Sequence, residues 1–253
     1  MERRIEVAVA NWGTALTDRD IDDGIGALQT QLDRDFSPEW GVKAHLFPLR
    51  PLAYRSDVLG LILRKGKSAD SDHYEATSAG LPLVEVFPDE LDAGQQWTHP
   101  ASRELLTMLV DAIAGHGVYW QAEDGDARTD RLYAHEITAP CASYCHGYAI
   151  GGWQVSDFVH RAWFGATAPL RGYDHCGRIH CAFDVLDGER VFAYDLRTGA
   201  WFEIGARDRR EVPAPSGRRL ERLAAALKEP HRAVQPLTLD DDPGPPGPIW
   251  GGP

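Results

Sequence analysis

The chain has 253 residues, of which 43% are hydrophobic and 25% charged, enough for one sizeable core. Its net charge of −12 repels nucleic acid and anionic lipid, which excludes both as expected partners. No apolar run approaches the roughly 20 residues of a membrane span, and the run after the first arginines is too short for a signal peptide. Four cysteines do not suggest a disulfide framework. We therefore expect a cytoplasmic protein with reduced thiols.

The first half of the chain predicts strands interrupted by one helix. Thr17 and Asp20 form a capping-box pair at the start of that helix, whose apolar residues recur at helical spacing as Ile21, Ile25, Leu28 and Leu32. The predicted strands lie at 5–10, 42–49, 58–63 and 81–87.

A second helix is predicted at 100–114, closed by Gly115 and Gly117. Its apolar stripe consists of Leu105, Leu106, Leu109, Val110 and Ile113. We expect an α+β fold in which this helix packs beneath a mixed β-sheet, through Leu105, Leu109 and Ile113.

The second half predicts an irregular structure. An extended segment is expected at 132–137, a short helix at 154–159, and strands at 179–185 and 190–194 around an Asp187-Gly188 turn. A further helix is predicted at 216–228. The Pro, Gly and Asp content from Pro236 onward predicts a flexible tail, so the chain divides into one domain, 1–235, and a tail, 236–253.

The second predicted helix carries a polar line beside its apolar stripe. Arg103, Thr107 and Asp111 lie at i, i+4 and i+8, and Glu104 flanks them. The segment 97–111 resembles the Ser-His-Glu-Leu-x-Glu-Met-x-x-Asp core of an uncharacterised bacterial, metalloprotease-like (zincin-like) family. Segments 27–41, 80–87, 133–136 and 155–164 also resemble that family in the same order, so the resemblance covers roughly residues 5–203.

The resemblance implies a zincin-like lobe, with element order strand, helix, three strands, helix. In that lobe the second helix carries the metal motif and lies beneath the sheet, and the strand before it lies beside the substrate. Glu104 would activate a zinc-bound water. Three positions depart from the pattern. Arg103 replaces the His, Thr107 replaces the second Glu and Ala139 replaces the later Asp, while Glu104, Asp111 and Glu136 are kept.

A guanidinium has no lone pair for a metal and repels a cation. We therefore expect a vestigial Glu104, and an Arg103 that pairs with Asp111 or Glu136 where a metal would lie. The alternative for these residues is an anion or substrate site. The function predicted is that of a catalytically degenerate protein, not an enzyme and without a cofactor, that binds a protein partner. Trp250 in the tail would be a docking residue.

Two alternatives with zinc stay open. One is an active zinc-dependent hydrolase with relocated ligands, using Glu104, Glu136 and a nearby His. The other is a structural zinc site formed by Cys141, Cys145, Cys176 and Cys181 with neighbouring His residues. Because the cysteine spacings are not those of a zinc ribbon, buried free thiols are the simpler interpretation.

Overall fold

The computed structural model describes residues 4–49, 57–66, 74–77, 79–114, 118–120, 131–134, 136–165, 171–196 and 198–213. The predicted helix at 216–228 and the predicted tail at 236–253 lie outside the described residues. The side chains of Asp111 and Ile113 also lie outside this description.

The first half forms a five-stranded sheet with the order β2-β1-β3-β5-β4. Its strands are β1 (Ile5–Trp12), β2 (Ala44–Leu49), β3 (Leu59–Arg64), β4 (Tyr74–Ala76) and β5 (Pro82–Val86). The first three and β5 are parallel, whereas β4 runs antiparallel to β5 at one edge. Continuous burial of β1 from Val7 to Ala10 fits a parallel strand that is covered on both faces.

Two long helices, α1 (Asp18–Thr30) and α3 (Thr98–Ala114), pack against this sheet and against each other. The predicted capping box at the start of α1 is confirmed, since Asp20 N donates to Thr17 Oγ1 and Thr17 N donates to Asp20 Oδ2. A Cβ at Gly24 would lie 2.2 Å from the Trp97 ring, so glycine is required for the close approach of α1 to α3.

The end of α1 passes into a π-helical turn at Gln31–Phe36 and then into the short helix α2 (Ser37–Trp40). Gly41 ends α2 with a φ of 70°, a backbone conformation that favours glycine. The sequence pattern did not predict the π-helical turn, which places Gln31 and Asp35 toward the second half of the chain.

The second half forms an antiparallel sheet with the order β12-β11-β10-β7-β6 and a small separate hairpin. The sheet contains β6 (Val118–Trp120), β7 (Arg131–Tyr133), β10 (Arg190–Asp195), β11 (Ala200–Gly205) and β12 (Arg209–Val212). The hairpin consists of β8 (Tyr148–Ile150) and β9 (Trp153–Val155).

Two predictions for the second half were wrong. Residues 154–155 belong to β9 and residues 156–159 are irregular instead of helical, because the backbone N–H of Ser156 donates to Ser102 and the Asp157 side chain accepts from Cys176 N. Residues 179–185 form no strand, and the hairpin connects β10 with β11. Asp187 and Gly188 do form a turn, but it precedes the first strand of that hairpin.

The α+β class and the packing of a helix against a sheet that contains parallel strands are confirmed. Leu105 and Leu109 of α3 are fully buried, as predicted, and so are Leu106, Met108 and Val110. The helix is therefore enclosed on most sides over this stretch. Among the described residues, no helix combines the length and the hydropathy needed to span a bilayer.

Candidate functional site

The polar line of α3 begins one turn earlier than the sequence pattern suggested. His99 lies one turn before Arg103 and Thr107 one turn after it, so the three residues share one face of the helix. His99 and Thr107 are buried, while 41% of the Arg103 side chain is exposed. This face meets the loop after β7, where Thr107 Oγ1 lies 3.3 Å from Thr138 Oγ1.

The guanidinium of Arg103 pairs with its neighbour Glu104. Its Nη2 and Nε atoms donate to Glu104 Oε1 at 3.1 and 3.3 Å. The predicted pairing with Asp111 or Glu136 stays a prediction, because the Asp111 side chain lies outside the described residues. Eight residues of helix place Asp111 about 12 Å along the axis from Arg103, whereas the Glu104 carboxylate is adjacent.

The positions that would hold a metal in the resembled family carry other chemistry here. Thr107 uses its hydroxyl to donate back to the carbonyl of Arg103 at 2.9 Å. Ala139 has only a methyl group, and it begins a short 3₁₀ turn after Thr138. Glu136 is half-buried in the same loop. Arg103 and Glu104 are thus brought together, and the part of the chain that the structure describes places no metal-ligand group around them.

A histidine and a glutamate, His146 and Glu189, lie close to His99 on this face. His146 Nδ1 is 2.7 Å from Glu189 Oε1, and the same oxygen accepts the backbone N–H of Ser143 at 2.7 Å. A carboxylate on one ring nitrogen fixes the orientation of an imidazole. Sequence reasoning did not select Glu189, because only the fold brings this residue to His146.

His99 is almost completely buried, and its Nε2 atom has no hydrogen-bond partner among the described residues. Burial, and then the positive charge of Arg103, lower the pKa of His99 to about 4, so its ring is neutral at physiological pH. The ring lies against Tyr144, with 5.0 Å between the ring centroids, and a Cβ at Gly147 would lie 2.9 Å from it. From the sequence alone, His99 was interpreted as an isolated surface or hydrogen-bonded histidine and not as a ligand.

The four cysteines are free and differ in their surroundings. Cys141 is buried, Cys176 is half-buried, and Cys145 and Cys181 are exposed. Burial raises the pKa of both the Cys141 and Cys176 thiols, the latter to about 12, which disfavours the thiolate form that zinc requires. Within the described ranges, no three or more His, Cys, Asp or Glu side chains are placed to hold a metal ion. The four-cysteine zinc site stays a prediction.

A buried carboxyl pair lies beside Cys176. Asp157 and Asp174 are both fully buried, and burial, followed by the influence of Asp174, raises the pKa of Asp157 to about 8. Asp157 follows β9, and Asp174 belongs to the irregular segment 171–189. An isolated β-bridge pairs Asp174 with Val159 and so connects this segment to the chain after β9. Neither aspartate was selected from the sequence, since no periodic pattern marks them.

The π-helical turn supplies a further buried polar network. Gln31 donates to the Ser156 carbonyl at 2.8 Å and to the Tyr148 hydroxyl at 3.1 Å, and it accepts from Ser102 Oγ at 2.7 Å. Tyr148 in turn donates to Asp35 at 2.8 Å. The network ties α3, β8 and the segment after β9 to the end of α1. A π-helical turn is a common way of placing such groups.

The chain gives no match to any family model, to any curated protein or to any solved structure. Inferences about its function therefore depend on its own residues and on the resemblance of its motifs.

Proposed function

We propose that this protein is a metallopeptidase-like protein that lacks the metal-dependent reaction and acts by binding another protein. The observation that carries the proposal is the pairing of Arg103 with Glu104. The carboxylate that would activate a metal-bound water is held by a fixed positive charge, at the position where the resembled family has its first ligand.

The order of elements supports the resemblance. A strand, a helix and further strands precede α3, and α3 packs against β5, the strand immediately before it. This is the arrangement expected of a zincin-like lobe, which would keep its scaffold while Arg103, Thr107 and Ala139 replace the ligands. A scaffold retained without its reaction is suited to a binding role.

An exposed aromatic side chain supports the choice of a protein partner. Trp12, at the end of β1, is 51% exposed, although large aromatic residues are normally buried. Tryptophan is enriched where protein surfaces bind each other. The net charge of −12 favours a partner with a basic surface over nucleic acid or anionic lipid.

Restoring the family's ligands tests the proposed origin of the site. The variant Arg103→His, Thr107→Glu, Ala139→Asp is expressed with zinc, and its metal content is measured by mass spectrometry. We expect about one zinc ion per chain in this variant and none in the wild type. The matched control, Arg103→Gln, Thr107→Gln, Ala139→Asn, changes the same positions without carboxylates or imidazole and should hold none. A restored variant without zinc contradicts the metallopeptidase-like origin.

The same measurement separates the alternatives. Zinc in the wild type that is lost in Glu136→Ala favours an active hydrolase with relocated ligands. In that alternative, His99 would be the nearby His, because its buried Nε2 has no hydrogen-bond partner among the described residues. Zinc that is lost in Cys141→Ser or Cys176→Ser favours a structural zinc site.

The binding role needs its own experiment. A photoreactive amino acid at position 12 should form one defined adduct in cells, whereas the same residue at the exposed position 211 should not. Equal adducts from both positions contradict a binding surface at Trp12.

A further inference from the structure

The strand β2 lies at one edge of the first sheet, and none of the strands that the structure describes pairs with its outer side. An unpaired edge presents a row of backbone N–H and C=O groups with which another extended chain can pair. Charged side chains often protect such an edge, but β2 reads Ala-His-Leu-Phe-Pro-Leu and has no Lys, Arg, Asp or Glu. Another kind of protection is therefore needed here.

The pairing with β1 determines which backbone groups of β2 face outward. Ile5 N donates to Lys43 O at 2.9 Å, so the odd-numbered residues of β2 direct their peptide groups toward β1. Successive residues of a strand direct these groups to opposite sides. The N–H and C=O groups of Ala44 and Leu46, and the C=O group of Pro48, therefore face away from the sheet.

The side chain of Gln29 occupies this outer edge. Its Nε2 donates to Ala44 O at 3.0 Å, and its Oε1 accepts from Leu46 N at 2.8 Å. A carboxamide has the same kinds of donor and acceptor as a backbone peptide group. A further bond of 3.0 Å, from Nε2 to Asp33 Oδ2, holds the amide in place. The amide of Gln29 thus pairs with β2 as one peptide group of an added strand would.

A proline supplies the second part of the protection. Pro48 has no N–H, so a chain that lies along β2 finds no donor at this position. Within sheets, proline is largely confined to edge strands for this reason. Of the outward donor positions of β2, the one at Leu46 is bound by Gln29 and the one at Pro48 is missing.

A second copy of this chain is the partner that the arrangement excludes. Two identical edges can pair antiparallel around a two-fold axis, the commonest symmetry of protein dimers. With Leu46 opposite its own copy, its N–H would have to donate across the interface, and Ala44 O would face Pro48. Gln29 already binds the first group, and Pro48 has no donor for the second. Shifting the register by two residues again requires groups that Gln29 has bound.

We propose that Gln29 and Pro48 close the outer edge of β2 and so keep copies of this chain from pairing through their first sheets. Gln29 does so by binding the outward groups of Ala44 and Leu46, and Pro48 by lacking a donor. This role is independent of the proposed binding function, because Trp12 takes no part in it.

Removing both features should let the edge pair. The variant Gln29→Ala, Pro48→Val frees Leu46 N and adds an N–H at position 48, while Ala suits a helix and Val suits a strand. Analytical ultracentrifugation should show an average mass that rises with concentration toward twice that of the wild type or higher. Thr30→Ala is the matched control, because it removes only an exposed bond to Gly26 O in the same helix. This control should keep the mass of the wild type.

Hydrogen exchange of the Leu46 amide shows whether the association uses the edge of β2. In a dilute solution of the double variant, this amide should exchange about two- to tenfold faster than in the wild type, because it has lost its acceptor on Gln29. In a concentrated solution its protection should return as the copies pair. The Leu61 amide of β3 should be equally protected in both solutions.

Circular dichroism establishes that each variant is folded. If the double variant does not fold, Gln29→Ala alone makes the same decision with a smaller rise in mass. The proposal is overturned if the folded variant keeps the mass of the wild type at every concentration, or if it associates without renewed protection of the Leu46 amide. It is also overturned if Thr30→Ala associates as strongly, since the bonds between Gln29 and β2 would then not be the cause.

Discussion

The first sheet and its two long helices are packed mainly through apolar side chains, whereas residues 136–165 and 171–189 combine a buried apolar core with several buried polar groups. In the first region, Leu61, Leu63, Leu105 and Leu109 lose essentially all solvent exposure without any specific partner. In the second, residues such as Asp157, Asp174 and Glu189 are buried only because each meets particular donors. The first region should therefore respond mainly to lost volume, and the second also to lost hydrogen bonds and to pH.

The largest expected effect belongs to the aliphatic region. Leu109→Ala should lower the free energy of unfolding by about 2–5 kcal/mol, because it leaves a cavity beneath the sheet. Urea denaturation measures the change. Leu196→Ala is the control, since that side chain is 41% exposed and should cost far less. Equal losses in the two variants would contradict the packing of α3.

The matching experiment in the second region removes hydrogen bonds from the polar network around Gln31. Gln31→Leu should cost about 1–3 kcal/mol, because the Ser156 carbonyl loses its donor and Ser102 Oγ loses its acceptor, although the apolar volume is kept. Gln95→Leu removes only an exposed bond to Asp92 and should leave the denaturation midpoint nearly unchanged. A neutral Gln31→Leu variant would show that the second region does not depend on its polar contacts.

His99 adds a dependence on pH in the acid range. Its pKa is lowered from 6.5 to about 4 in the folded chain, so the unfolded chain binds the proton more readily. The contribution of the neutral His99 ring to the free energy of unfolding should be fully present above about pH 6.5. It should fall by up to about 3 kcal/mol as the pH decreases toward 4. Denaturation midpoints across this range should fall less steeply in His99→Gln, while the exposed His45→Gln serves as the control. Identical slopes in His99→Gln and the wild type would contradict a buried neutral ring.

The smallest effect is expected at Arg103. Its side chain is 41% exposed and pairs with an adjacent residue, so Arg103→Ala should cost only about 0–1 kcal/mol. If Arg103 instead forms the buried pair with Asp111 or Glu136 that the sequence predicts, the loss should be roughly 3–5 kcal/mol. Thermal unfolding of this variant, compared with Arg19→Ala in an exposed helical pair, distinguishes the two values.

The same contrast explains what could be predicted from the sequence. The helices α1 and α3 and the strand β1 follow from apolar spacing and from a capping box, which are local signals. The short strand β4 and the π-helical turn have no such signal. At the candidate site, Arg103 and Glu104 were identified because a linear motif contains them.

Other members of the site could not be found in this way. His146 and Glu189 meet only after the chain has folded, and the same is true of Asp157 and Asp174. Hydrogen-bond partners in irregular segments need no fixed spacing, so periodicity carries no information about them. For Arg103, the rise of the helix favours the adjacent Glu104 over Asp111, which lies eight residues further along.

The π-helical turn at Gln31–Phe36 also bears on how the length of this chain can change. A π-helical turn holds one residue more than the α-helical turn that could replace it, so a single deletion there could leave an unbroken α-helix. Such a deletion would leave the residues on either side of the turn in nearly the same orientation, because the wider turn accommodates its extra residue. Gln31 and Trp40, whose side chains both reach the segment 156–159, would then keep their contacts. A deletion within α1 would instead rotate the residues beyond it by about 100°. Changes of length should therefore be tolerated better at this turn than within α1.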